Sequence, residues 1–113
     1  MSAASMDEDV QGVFARISGF GWHEKKRESN LRDHRVDFAD VRAIFDGYTF
    51  IRRSDRRGEI RYQIFGYVHG QEVAVACTLR EGQCWIISAR RARKDERQKY
   101  YLGLEGRSPA GED

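Results

Sequence analysis

A chain of 113 residues holds enough material for one modest hydrophobic core and too little for two. Apolar residues make up 40% and charged residues 34%, the balance of a small soluble domain with a heavily ionised surface. Nothing approaches a membrane-spanning run, and the start MSAASMDEDV is acidic where a secretory signal is basic and then apolar, so the expected location is cytoplasmic.

The formal net charge of +2 conceals a strong division along the chain. Five of the 18 acidic residues lie in the first eleven and last five positions, whereas all 20 basic residues lie between, so residues 12–108 carry a formal charge of about +7. Sixteen of those cations are arginines, whose planar fork matches phosphate and stacks on bases. For any single arginine a solvated surface position is explanation enough; together they favour a nucleic acid or another polyanion as partner. Cys77 and Cys84 fall within predicted strands and read as reduced, packed thiols. Two cysteines and three scattered histidines make a poor metal site, and neither metal nor cofactor is expected.

In chain order, the small polar ends, 1–11 and 105–113, read as disordered tails around a single domain over 12–104. FARISGFGWH (Phe14 to His23) reads as a short strand with a glycine-marked bend. EKKRESNLRDH (Glu24 to His34) reads as a polar helix anchored chiefly by Leu31 and ending around Arg35. In DFADVRAIFDG, Asp37 is the expected N-cap, and Phe38, Val41, Ile44 and Phe45 form the buried stripe of a second helix that Gly47 stops. YTFIRR is a strand and SDRRGE an arginine-rich loop. From Glu59 a meander follows, with turns at His69-Gly70 and near Glu81-Gly82, and RARKDERQKYYLGL closes as a helix. The order β-α-α-β-β-β-β-α defines an α+β domain with a twisted antiparallel sheet.

Alternation assigns the faces. Val73, Val75, Cys77 and Leu79 match Ile60, Tyr62 and Ile64 if the His69-Gly70 loop has two residues, which sets Arg61 across from Thr78 and near Arg80. A three-residue loop at Arg80-Glu81-Gly82 would add Trp85, Ile87 and Ala89 to the apolar face and Ser88 and Arg90 to the basic one; a two-residue loop would reverse that. The first is preferred, because Trp85 suits a core better than Ser88.

Metal-free RNA cleavage needs a group to take the 2′-hydroxyl proton, a group to protonate the leaving oxygen, and fixed cations for the phosphorane. His34, Lys26 and Glu59 are the available proton carriers, and Arg61, Arg80 and Arg90 the cations; Arg57, Thr78, Ser88, Arg91 and Arg93 extend the set as RNA contacts. Plainer roles stand beside these. His34 at a helix C-terminus satisfies the dipole, Glu59 between Arg57 and Arg61 makes an ion pair, and Trp22, Phe38 and Trp85 read as core.

WHEKKRESNLRDHRVDF (Trp22 to Phe38), with GEIRY, TLR, IISARRA and Tyr100 following, resembles the BrnT family of toxins: Trp22, Lys26, Asn30, His34 and Phe38 recur at its spacing. The resemblance implies a RelE-like fold and a bacterial endoribonuclease toxin that inhibits translation and growth. It also implies a BrnA-like DNA-binding antitoxin as partner, with operator DNA bound only through that complex. Asp33 stands where the family usually has lysine, Arg35 replaces a common glycine, and Trp85 lies where the family tends to have arginine. The last departure motivates the alternative, a non-catalytic basic RNA- or partner-binding module of the same fold.

Overall fold

The computed structural model describes the backbone of residues 12–112 and side chains as far as Gly106; the expected tail 1–11 lies outside the described residues. In chain order the elements are β1 (Gly19–Gly21), helix α1 (Glu24–His34), a 3-10 helix (Phe38–Asp46), β2 (Phe50–Arg53), β3 (Tyr62–Val68), β4 (Gln71–Arg80), β5 (Gln83–Arg91) and helix α2 (Lys94–Glu112). This is the expected order. The backbone of α2 takes in residues 105–112, which the sequence reading assigned to a tail.

The five strands form one sheet in the order β1-β5-β4-β3-β2. All neighbours are antiparallel except β1, which joins β5 in parallel. The strand expected over Phe14 to His23 shrinks to these three residues, because residues 12–15 turn helically and bury Phe14 edge-on against Tyr62 at 5.1 Å.

The second helix is present as a 3-10 helix, and its period explains its core. Phe38, Val41 and Ile44 repeat every three residues, so a three-residue turn stacks all of them on the sheet while Phe45 is only partly covered. Asp37 caps it as expected, accepting from Ala39 N at 3.0 Å. Gly66 on β3 allows the close approach, since a Cβ there would stand 2.7 Å from Ile44 Cγ1. Against this face pack Ile64, Val73, Val75, Cys77, Cys84, Ile86 and Ala89. Among the described residues the other face is covered at one end, where Phe65, Ala74 and Tyr100 of α2 form a second, smaller cluster.

Both long hairpins close with two-residue turns whose central residues have positive φ, His69 and Gly70 (52° and 80°) and Glu81 and Gly82 (51° and 81°), the backbone of type I′. The first gives the expected register, Tyr62 opposite Cys77. The second corrects the preferred three-residue loop: Arg80 pairs with Gln83, so Cys84 and Ile86 enter the core, and Trp85, opposite Thr78, leaves it. A β-bulge between Ala76 and Cys77 then passes over Ile87 and restores the other phase, placing Ala89 in the core and Ser88 and Arg90 outside. The expected faces of Ser88, Ala89 and Arg90 therefore hold, while that of Trp85 does not.

Two further anchors differ from expectation. Leu31 is 42% exposed and Ile60 47% exposed. The buried residue of α1 is Asn30, whose carboxamide donates to Val36 O (2.9 Å) and Ala89 O (2.8 Å) and accepts from Ala89 N (3.1 Å). It supplies β5, beyond the short β1, with the pairing that a neighbouring strand would have made. Arg35 ends the helix in the left-handed region at φ 60°, a conformation that favours glycine.

Candidate functional site

Among the described residues, the outer face of the sheet is open where α2 does not reach. Its side chains follow the ladder: Arg52, Gln63, Ala76 and Ser88 make one row, and Thr78, Trp85 and Gly21 the next, with Arg61 beside Thr78 by continuation of the β3–β4 register. Adjacent strands lie about 4.8 Å apart, so three guanidinium groups, Arg52, Arg61 and Arg80, share a surface some three strands wide. Arg52 stacks on Phe65 with Cζ at 5.1 Å from the ring centroid and donates to Gln63 at 2.9 Å. It was not singled out from the sequence; its strand position two residues after the outward Phe50 was the available signal.

Arg61 is held by Glu59, Nε to Oε1 at 2.8 Å, so the expected ion pair is present and Glu59 is half-buried beside it. A miniature hairpin sets the pair in place: Arg56 and Glu59 exchange two backbone hydrogen bonds at 2.9 Å around Arg57 and Gly58, and Arg57 stands exposed at its tip with φ 50°. Thr78 is buried, its hydroxyl donating to Ile60 O at 2.8 Å. That bond ties the irregular approach to β3 onto β4.

Arg80 lies over the Trp85 indole with Cζ at 4.7 Å from its centroid, and His23 meets the same ring edge-on at 5.2 Å. His23 was also missed by the sequence reading. It stands two residues past Gly21, the β1 partner of Trp85, and only the parallel pairing brings it there.

Arg90 has a different environment. Both terminal nitrogens reach Glu96, at 2.9 and 3.0 Å, and Glu96 also accepts from Arg93 N at 2.8 Å, capping the first turn of α2. Glu96 is 4% exposed, and Arg90 holds its carboxyl at about 2, well below the usual range. Arg91 and Arg93 are exposed at the junction of β5 and α2.

Lys26 and His34 are exposed and flank Asn30 at four-residue spacing, so they lie on the stripe of α1 that runs along the β5 edge. Glu59 precedes β3, with β4 and β5 between it and that stripe. The candidate proton carriers thus border the basic face from opposite sides. Arg27 braces α1 against the next helix through Asp37 at 2.7 and 3.1 Å, which holds the Asp37 carboxyl below its ordinary value.

Cys77 and Cys84 are buried free thiols; their mutual hydrogen bond and burial push the Cys77 thiol up, away from nucleophilic ionisation. Among the described residues no three histidine, cysteine or carboxylate side chains converge as a metal site, and no helix is long and apolar enough to cross a membrane.

A basic α+β protein with an open sheet face of guanidinium groups around one indole is suited to a phosphate-bearing polymer. Residues 22–96 match the family described as ribonuclease toxin, BrnT, of type II toxin-antitoxin system. Among solved structures, the 1.1 Å crystal structure of the Brucella abortus ribonuclease toxin BrnT matches with a TM-score of 0.52 and 25% identity, over 67% of this chain and 97% of that one. No curated protein matches. The chain belongs to the BrnT family of type II toxin-antitoxin ribonuclease toxins, a class that implies an RNA substrate and an antitoxin partner.

Proposed function

We propose that this protein is a cytoplasmic endoribonuclease that cleaves RNA without a metal ion and so inhibits translation and growth. A base removes the 2′-hydroxyl proton, the 2′-oxygen attacks the adjacent phosphorus, and the P–O5′ bond breaks as an acid protonates the leaving oxygen. The products are a 2′,3′-cyclic phosphate and a 5′-hydroxyl. Arg61 and Arg80 bind the scissile phosphate and stabilise the charge that develops on it. Glu59 on one side, and Lys26 or His34 on the other, carry the protons. Arg57, Ser88 and Arg93 border the track of the strand, with Thr78, whose hydroxyl is spent on Ile60 O, beneath it and Arg91, opposite core-facing Val73, off its edge, while Arg90 supports it by fixing the start of α2 through Glu96. A BrnA-like DNA-binding antitoxin covers the basic face, and the pair meets operator DNA through the antitoxin.

The observation that carries this reading is the position of Arg61, across from Thr78 by continuation of the β3–β4 register, and of Arg80, two residues along β4, on a part of the sheet face that no described element covers. A second reading, a non-catalytic RNA-binding module of the same fold, draws on Trp85, whose ring is already engaged by Arg80 and His23 where the family tends to carry a cation. The test is incubation of the antitoxin-free protein with end-labelled RNA in EDTA beside folded Arg80→Ala. Fragments with cyclic phosphate ends from the parent alone support the nuclease. Intact RNA that is nevertheless bound supports the second reading, and absence of both cleavage and binding overturns each.

A further inference from the structure

Arg80 differs from Arg61, Arg90 and Arg53 in what holds it, and from Arg52, which also stacks on a ring, Phe65, but spends its Nε on Gln63. Arg61 is paired with Glu59, Arg90 with Glu96 and Arg53 with Asp55, whereas among the described residues Arg80 has no carboxylate partner. Its partner is the π-face of Trp85, at 4.7 Å. A carboxylate orients a guanidinium by occupying its N–H donors and cancelling its charge. An aromatic ring attracts the cation through its quadrupole and leaves all five donors in the guanidinium plane unspent.

The indole is itself fixed from below and from the side. Trp85 pairs with Gly21 on β1, and a Cβ at position 21 would stand 2.7 Å from both Cε3 and Cζ3, so the ring fills the place of the side chain that β1 lacks there. His23 closes the edge with its ring nearly perpendicular, at 85°. The two-residue turn at Glu81-Gly82 puts Trp85 on the outer face, while the bulge beyond it lets Ala89 return to the core.

The geometry points to Trp85 as a positioning residue that holds Arg80 over the open face with its donors free for an RNA phosphate. This rests on the proposed nuclease reading for its substrate.

The experiment is a double-mutant cycle on Arg80→Ala, Trp85→Ala and the pair, with Trp85→Phe as the conservative variant and circular dichroism to establish folding. Affinity is read by anisotropy with a 2′-O-methyl RNA oligonucleotide, which cannot be cleaved by 2′-attack, and kcat and KM are read with unmodified RNA. Trp85→Ala is expected to weaken binding and kcat/KM about fivefold to tenfold, and Trp85→Phe to recover about half of that loss, as for a cation–π contact. In the Arg80→Ala background Trp85→Ala should cost nothing further. The salt slope of binding should fall by about one unit on loss of Arg80. Gly21→Ala should reproduce the Trp85→Ala loss with both partners still in place. In NMR spectra the Arg80 Nε–H resonance should move on Trp85→Ala.

An equal loss from Trp85→Ala with and without Arg80 would overturn the proposal, since the indole would then be touching RNA itself. An unmoved Arg80 resonance with unchanged affinity would overturn it as well, as would a parent protein that binds no RNA. A parent that binds RNA without cleaving it, and still shows the cycle, removes the nuclease reading and leaves the positioning role supported.

Discussion

The two ends of the outer sheet face carry the same residue type and use it differently. At the end covered by α2, Arg90 is bound at both nitrogens by a carboxylate that is almost fully buried. At the open end, Arg80 rests on an indole and is exposed. The first arginine builds the fold, because a desolvated charge must be paired. The second has its charge available. The contrast shows that counting arginines on a face overstates its binding capacity: what matters is whether the partner neutralises the cation.

The sharpest way to break the comparison is at the open end. Replacing Arg80 by alanine is expected to lower RNA cleavage by at least about a hundredfold, the usual cost of losing one transition-state donor, and replacing Arg61, already paired with Glu59, by less, while the urea midpoint stays unchanged for both. A large loss of stability instead would make these residues structural. At the covered end the outcome should be opposite. Glu96→Ala leaves Arg90 unpaired and uncaps α2, and is expected to cost about 3 kcal/mol in urea unfolding.

The same pair has an acid signature. The folded-state carboxyl of Glu96 is held at about 2, below its ordinary value of 4.5, so the unfolded chain binds its proton first as pH falls. Its contribution is fully present above the ordinary value and is lost as pH drops through about 2, on the order of 3 kcal/mol by linkage. In Glu96→Gln the stability between pH 5 and 2 should fall less steeply, measured by urea midpoints at each pH.

Asn30→Ala sharpens the comparison along the β5 edge, since it leaves the Ala89 N–H and two carbonyls without partners; about 2 kcal/mol is expected. The smallest effect is a gain. Arg35→Gly relieves a left-handed residue and should raise stability by about 1 kcal/mol with cleavage unaltered, measured by thermal melting and RNA digestion.

Much of the fold was legible because its signals are local. The His69-Gly70 turn and the alternation in Gln71–Arg80 together specify one register, and the structure has it. The Phe38, Val41 and Ile44 stripe is equally visible, although a period of three read as an α-helix. The misreadings share a cause. Trp85 reads as core since a large aromatic is costly to expose, but its exposure is offset by Gly21, His23 and Arg80, which arrive from β1, the start of α1 and β4. Leu31 looked like the anchor of α1 for the same reason, while the buried Asn30 is satisfied by a backbone 59 residues away.

The sequence by itself determined the element order, the first hairpin register, the Asp37 cap and the excess of arginine, because each depends on neighbours in the chain. Only the tertiary structure decided which arginines are spent and which are free. A guanidinium's availability depends on whether a carboxylate or an aromatic ring meets it, and here that is set by a bulge in β5, a parallel β1 and the docking of α2.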